Sequence, residues 1–113
     1  MARAATTLDP FNAIAEPKRR RVLDLLVDGE QQVNDLVHTL GWPQPQVSKH
    51  LGVLRRVGLV NVRRDGRRQM YKLNAAQLKP IHDWIKSYER FWTQHLHRIK
   101  QIAEAKANQT KKE

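Results

Sequence analysis

Gln44-Pro45-Gln46-Val47-Ser48-Lys49-His50-Leu51-Gly52-Val53-Leu54-Arg55 is the stretch whose spacing decides the fold of this 113-residue chain. Within and just beyond it Val47, Leu51, Leu54 and Val57 recur at intervals of three and four, the repeat of one helical face, and Gly58 supplies a stop. At about 100° per residue, Val47, Leu51 and Leu54 lie within roughly 60° of one another and define a buried face. Gln46, Lys49 and Arg56 lie between about 180° and about 260° from Val47, facing outward, with Gln44 and Ser48 at the flanks. His50 falls on the border of the buried face. Its expected role is a core-edge histidine bonded to backbone or to a phosphate, in preference to a metal ligand.

Upstream, Val33, Leu36, Val37 and Leu40 keep helical spacing and Gly41 sits where a left-handed C-cap is wanted. Downstream the period changes to two. Val60 and Val62 alternate, Asp65-Gly66 reads as a two-residue turn, and Gln69, Tyr71 and Leu73 alternate back as a hairpin. Two short helices joined by a tight glycine-containing connection and followed by a basic hairpin form the winged helix-turn-helix order. The helix-turn-helix is expected at about 33–57 and the wing at about 60–73, within a single domain over 1–113. The fold class is mainly α with a small β-hairpin wing.

The ends add further helices. Asp9 to Ala15 carries a short helical pattern with Asp9 as its cap and Phe11, Ile14 and Ala15 on one side. Glu16-Pro17 restarts the chain for a helix bearing Val22, Leu23, Leu25 and Leu26, which Gly29 stops. Asn74 is expected to cap the segment after the hairpin, and Pro80 to open a long helix over about 80–106. Ile81, Trp84, Ile85, Tyr88, Phe91, Trp92, Leu96, Ile99 and Ile102 form a broad stripe along roughly 40 Å of that helix. The stripe suits core or interface better than a ligand box. The polar tail from Asn108 is expected to fray.

Charge locates the function on this frame. Twenty-one Lys and Arg stand against 11 Asp and Glu, a formal net charge of +10, which points to a polyanion before a membrane surface. Gln44–Leu73 holds eight of the cations and one acid, Asp65, whereas Val22–Pro43 holds four acids and no Lys or Arg. A charge run is commonly just a solvated face. Here the cations sit on one helix and one hairpin. In the first half of the helix Gln46 can read adenine N6 and N7, and Lys49 guanine O6 or N7, or a phosphate; Gln44 and Ser48 serve bases or phosphates. Arg63, Arg64, Arg67 and Arg68 surround the hairpin tip, placed for phosphates or an adjacent minor groove. No aromatics interleave with them, which favours duplex over single strands.

Absences narrow the class. With no cysteine there is no disulfide framework, Cys-based zinc finger or thiol nucleophile. Ser48 and Ser87 are the only serines, and there is neither a glycine-rich phosphate loop nor a suggestive carboxylate pair, so an enzyme is not expected. Met1 to Pro10 carries no export signal and no run approaches a membrane span, which leaves a cytoplasmic protein.

Glu16-Pro17-Lys18-Arg19-Arg20-Arg21-Val22-Leu23, the Gln44–Arg55 run, Gly58-Leu59-Val60 and Arg64-Asp65-Gly66-Arg67-Arg68-Gln69-Met70-Tyr71-Lys72-Leu73 together resemble the ArsR family of bacterial repressors. The resemblance covers about residues 9–100. It implies a homodimeric repressor that binds double-stranded DNA at an inverted repeat, with the helices at 9–15 and 80–106 packing across a two-fold axis through Phe11, Ile14 and the stripe. Many relatives carry Ser where this chain has Pro43, which cannot cap the recognition helix; Gln44 as a weak cap, or Trp42 packing on Val47, are the alternatives. Arsenic and cadmium sensors of the family use cysteines that are absent here. Zinc-type relatives use Asp-x-His and His-x-x-His or His-x-x-Glu pairs, whereas His95 and His97 project about 200° apart. No metal and no cofactor are therefore expected, and the effector is left unspecified. A zinc- or nickel-responsive repressor using His and Asp is the alternative, with a non-specific nucleic-acid binder behind it.

Overall fold

The structure is a computed structural model that describes residues 8–111, with side chains over 8–109. The opening segment, read as lacking an export signal, lies largely outside the described residues, as do residues 112–113 of the tail. Helices α1 (Pro10–Ile14), α2 (Pro17–Leu26), α3 (Val33–Leu40) and α4 (Gln44–Arg56) precede a hairpin of β1 (Val60–Asp65) and β2 (Arg68–Leu73). A single 3-10 turn (Ala75–Leu78), α5 (Lys79–Lys86) and α6 (Glu89–Lys111) complete the order. The winged helix-turn-helix arrangement is present. The chain divides into two compact units after Ile81.

In the first unit α4 is the central element, packing on α1, α2, α3 and β1. Val47, Leu51 and Leu54 are buried as their spacing requires, against Val22, Leu23 and Leu26 of α2, Leu36 of α3, and Leu59 and Val60 at the wing's root. Ala13 is the fully buried residue of α1, while Phe11 stays 39% exposed. The caps follow local chemistry. Asp9 accepts from the Asn12 N–H at 2.8 Å and Glu16 from the Lys18 N–H at 3.4 Å. Gly41 ends α3 in the left-handed region, at φ 70°, where its N–H reaches the Val37 carbonyl at 2.8 Å.

Several expectations change. Gln44 is the first residue of α4 and does not cap it; Pro43 is the N-cap and makes no side-chain bond. Trp42 and Val47 thus occupy the two staple positions, and Trp42 packs against the cluster containing Val47. The hairpin loop is Gly66-Arg67, not Asp65-Gly66, because Asp65 pairs with Arg68. Gly66 takes φ 63° while Arg67 keeps a negative φ, the sign pattern of a type II′ turn. Asn74 makes no side-chain cap bond.

The helix expected over 80–106 is two helices. Ser87 Oγ donates to the Trp84 carbonyl at 2.7 Å, and the N–H groups of Ser87 and Tyr88 reach back three residues, to Trp84 and Ile85. A serine hydroxyl competing for a helix carbonyl is what interrupts the ladder. Pro80 is the second residue of α5, where its missing N–H costs nothing. At the other end the segment from Asn108, expected to fray, stays helical to Lys111. Among the described residues no helix is long and apolar enough to cross a membrane.

Candidate nucleic-acid interface

The helix that buries Val47, Leu51 and Leu54 must present its other side to solvent. Gln44, Ser48, Lys49 and Arg56 are exposed and Gln46 is half-buried. Four of these five lie in the first half of α4. Arg56 lies at the opposite end, its Nε donating to the Gly52 carbonyl at 3.3 Å, where its charge also complements the helix dipole. It is the least available of the five for a base.

Strand alternation divides the wing arginines. The register Val60↔Leu73, Val62↔Tyr71 and Arg64↔Gln69 puts Arg64 on the face whose root packs on the core. Arg63 and Arg68 share the opposite face with Asp65, Met70 and Lys72, and Arg67 occupies the loop. A groove of about 390 Å³ between the start of α3 and the wing is lined by Gln32, Val33, Asn34, Arg67, Arg68 and Gln69. Arg63, expected among the phosphate contacts, is held by Glu30: its Nε donates to Glu30 Oε2 at 2.6 Å. The Arg63 hydrogen bond and charge, with Lys72 nearby, hold the Glu30 carboxyl below its ordinary pKa, and Arg63 is raised in turn.

Beside this pair the backbone gains a third pairing. Gln31 and Tyr71 exchange N–H···O bonds of 3.0 and 2.9 Å, and Gln31 Nε2 donates to the Leu25 carbonyl at 2.6 Å. The wing is therefore fastened to the α2–α3 connection. Neither this bridge nor the Glu30–Arg63 pair shows in local periodicity, because each joins residues more than 30 positions apart. Arg19 and Arg20 were likewise hidden in a basic run. Arg19 Nε donates to the Ala13 carbonyl and Arg20 to that of Ile14, both at 2.6 Å, so α2 satisfies the carbonyl end of α1.

His50 is 8% exposed and its Nδ1 is buried without a hydrogen-bond partner, so the backbone bond expected of it is missing there. Its ring meets Trp42 edge-on at 6.1 Å, and Lys18 Nζ stands 5.5 Å from the Trp42 ring centre on the indole face. Burial, then the charge of Arg19, with smaller contributions from Lys18 and Lys49, pushes the imidazole pKa down, opposed in part by Glu16. The unfolded chain therefore takes up this proton first on acidification. Stability contributed by neutral His50 is full above the ordinary value of 6.5 and is lost as pH falls from there through the folded-state pKa. The thermal midpoint should drop between pH 7.5 and pH 5, and less steeply in His50→Gln. Equal pH dependence in the two proteins would refute this role.

Outside the first unit the stripe is largely bare. Trp84, Tyr88, Phe91, Trp92, Leu96, Ile99 and Ile102 are 45–63% exposed, whereas Ile85 is half-buried. Trp84 and Tyr88 meet edge-on at 5.6 Å, and an open groove of about 520 Å³ runs along Phe91, Trp92, His95 and Leu96. Ile81, at 7% exposure, and Ile14, half-buried on the core, spend most of their apolar surface inside one chain. Among the described residues no three His, Cys, Asp or Glu side chains converge as metal ligands; His82 and Asp83, 3.5 Å apart, form only a pair.

Comparison with known proteins agrees with this geometry. Residues 16–62 match the family described as bacterial regulatory protein, arsR family. The transcriptional repressor SdpR of Bacillus subtilis is 31% identical over 78 residues, 69% of this chain and 87% of that protein. An ArsR-like transcriptional regulator from Rhodococcus sp. RHA1 superposes with a TM-score of 0.63 at 29% identity, over 82% of this chain and 88% of its own. The solution structure of a homodimeric winged helix-turn-helix DNA-binding domain from Mycobacterium bovis gives 0.58 at 29% identity, covering 71% and 74%. The fold, the exposed face of α4 and these likenesses converge: the chain belongs to the ArsR family of bacterial regulatory proteins, as a DNA-binding transcriptional regulator of the winged helix-turn-helix type.

Proposed function

We propose that the chain is a homodimeric repressor that binds an inverted-repeat operator in double-stranded DNA and blocks promoter access. The observation that carries this reading is the composition of α4. One face is locked into the core, and the other offers Gln44, Gln46, Ser48 and Lys49 at the helix end that meets base edges in a major groove. In this reading Gln46 and Lys49 contact bases, while Arg64, Arg67 and Arg68 contact phosphates. Pairing two copies through the exposed row on α5 and α6, together with Phe11, removes large apolar surface from water and repeats α4 by a two-fold axis. The homodimeric Mycobacterium bovis relative supports that choice.

The test combines mass and salt dependence. Sedimentation of the protein with a duplex carrying the inverted repeat should give two chains per duplex. Arg67→Ala and Arg68→Ala should each weaken all duplexes alike and reduce the slope of log affinity against log salt by about 0.9. One chain per duplex, or an unchanged slope in both variants, would count against the reading.

A further inference from the structure

The Glu30–Arg63 pair carries a consequence for the duplex-binding reading, on which it rests. We propose that Glu30 holds Arg63 off the DNA backbone and is thereby a specificity-determining residue outside the recognition helix. The pair lies at the surface, with the Arg63 side chain 56% and the Glu30 side chain 27% exposed. It shares its wing face with Arg68 and Lys72, the cations that a phosphate backbone would meet there. Glu30 offers Arg63 what a DNA phosphate would offer, an anionic oxygen at hydrogen-bond distance.

The carboxylate is delivered by structure and not by a loose loop. Its neighbour Gln31 is fixed twice to Tyr71 through the backbone and once to Leu25 through its side chain. Tyr71 stands opposite Val62, the residue before Arg63. The Glu30 carboxyl also stays ionised well into acid, since the Arg63 hydrogen bond lowers its pKa. Sequence-independent affinity for duplex grows with the number of phosphates neutralised, whereas base contacts do not depend on that number. Withdrawing one guanidinium from the count lowers binding to random DNA and leaves readout by α4 in place. The ratio of specific to non-specific affinity rises as a result.

The measurement is binding to a random-sequence duplex from 50 to 200 mM salt for the wild type, Glu30→Gln, Arg63→Gln and the double variant. Glu30→Gln should bind random duplex more tightly at low salt. Its slope should steepen by about 0.9, so that it loses about 3.5-fold more affinity than the wild type over that fourfold rise. Arg63→Gln should keep the wild-type slope, and the double variant should return to it. An unchanged Glu30→Gln slope, or an Arg63→Gln slope flattened by about one contact, would overturn the proposal while leaving duplex binding intact. If Glu30→Gln lost its folded circular-dichroism signature, Arg63→Gln alone would decide in the same two directions. A wild-type protein that retained no duplex at any salt would overturn the duplex reading and this proposal together.

Discussion

Leu54→Ala should lower the free energy of unfolding by about 2–5 kcal/mol, a large share of the roughly 5–15 kcal/mol that holds a typical domain together. Leu54 is 0% exposed, and α4 is the element against which α1, α2, α3 and β1 all pack. Its carbonyl also accepts the Leu59 N–H at 3.0 Å, tying the end of α4 to the root of the wing. Truncation leaves a cavity where recognition helix and wing are joined, and little nearby can collapse into it. Urea titrations at matched protein concentration measure the loss, since any dimer couples stability to concentration. A change below about 1 kcal/mol would mean that α4 is not the structural centre of its unit.

Lys49→Ala and Gln46→Ala should each cost about 1–3 kcal/mol on the preferred duplex, and each should relax preference at one position of the half-site. The two side chains stand in the first half of α4, Lys49 exposed and Gln46 half-buried. A base contact and a phosphate contact separate cleanly in this comparison. Loss of a base contact changes the ranking of sequences and leaves binding to random duplex nearly unaltered, whereas loss of Arg67 or Arg68 lowers all sequences together. Competition among single-base variants of the site reads the difference. Rankings preserved in both α4 variants would remove these residues from readout.

The parts legible in the sequence are those set by short-range repetition. The buried face of α4 followed from Val47, Leu51 and Leu54, the end of α3 from Gly41, and the hairpin pairing from the alternation around Val60, Val62, Tyr71 and Leu73. The features that escaped depend on competition or distance. Ser87 looks unremarkable within a helical stripe, yet its hydroxyl takes the Trp84 carbonyl and splits the helix. Asp-Gly is a strong hairpin signal, but register moved the loop by one residue to Gly66-Arg67.

The candidate interface was legible in the same uneven way. Outward positions on α4 come directly from helical geometry. The roles of its cations do not, because a run such as Lys18-Arg19-Arg20-Arg21 gives no sign that Arg19 and Arg20 hold carbonyls of α1. Arg63 carries the same lesson, since Glu30, its partner, lies 33 residues away in an acidic stretch.

Selection of bound fragments from a random duplex library at physiological salt tests the central claim most directly. A dimer reading through α4 should enrich an inverted repeat whose half-site centres lie about 10–10.5 base pairs, or a multiple of that, apart. The same selection with Gln46→Ala should return the repeat with one half-site position degraded. Recovered fragments with no repeated half-site, or with the base composition of the starting library, would contradict the account.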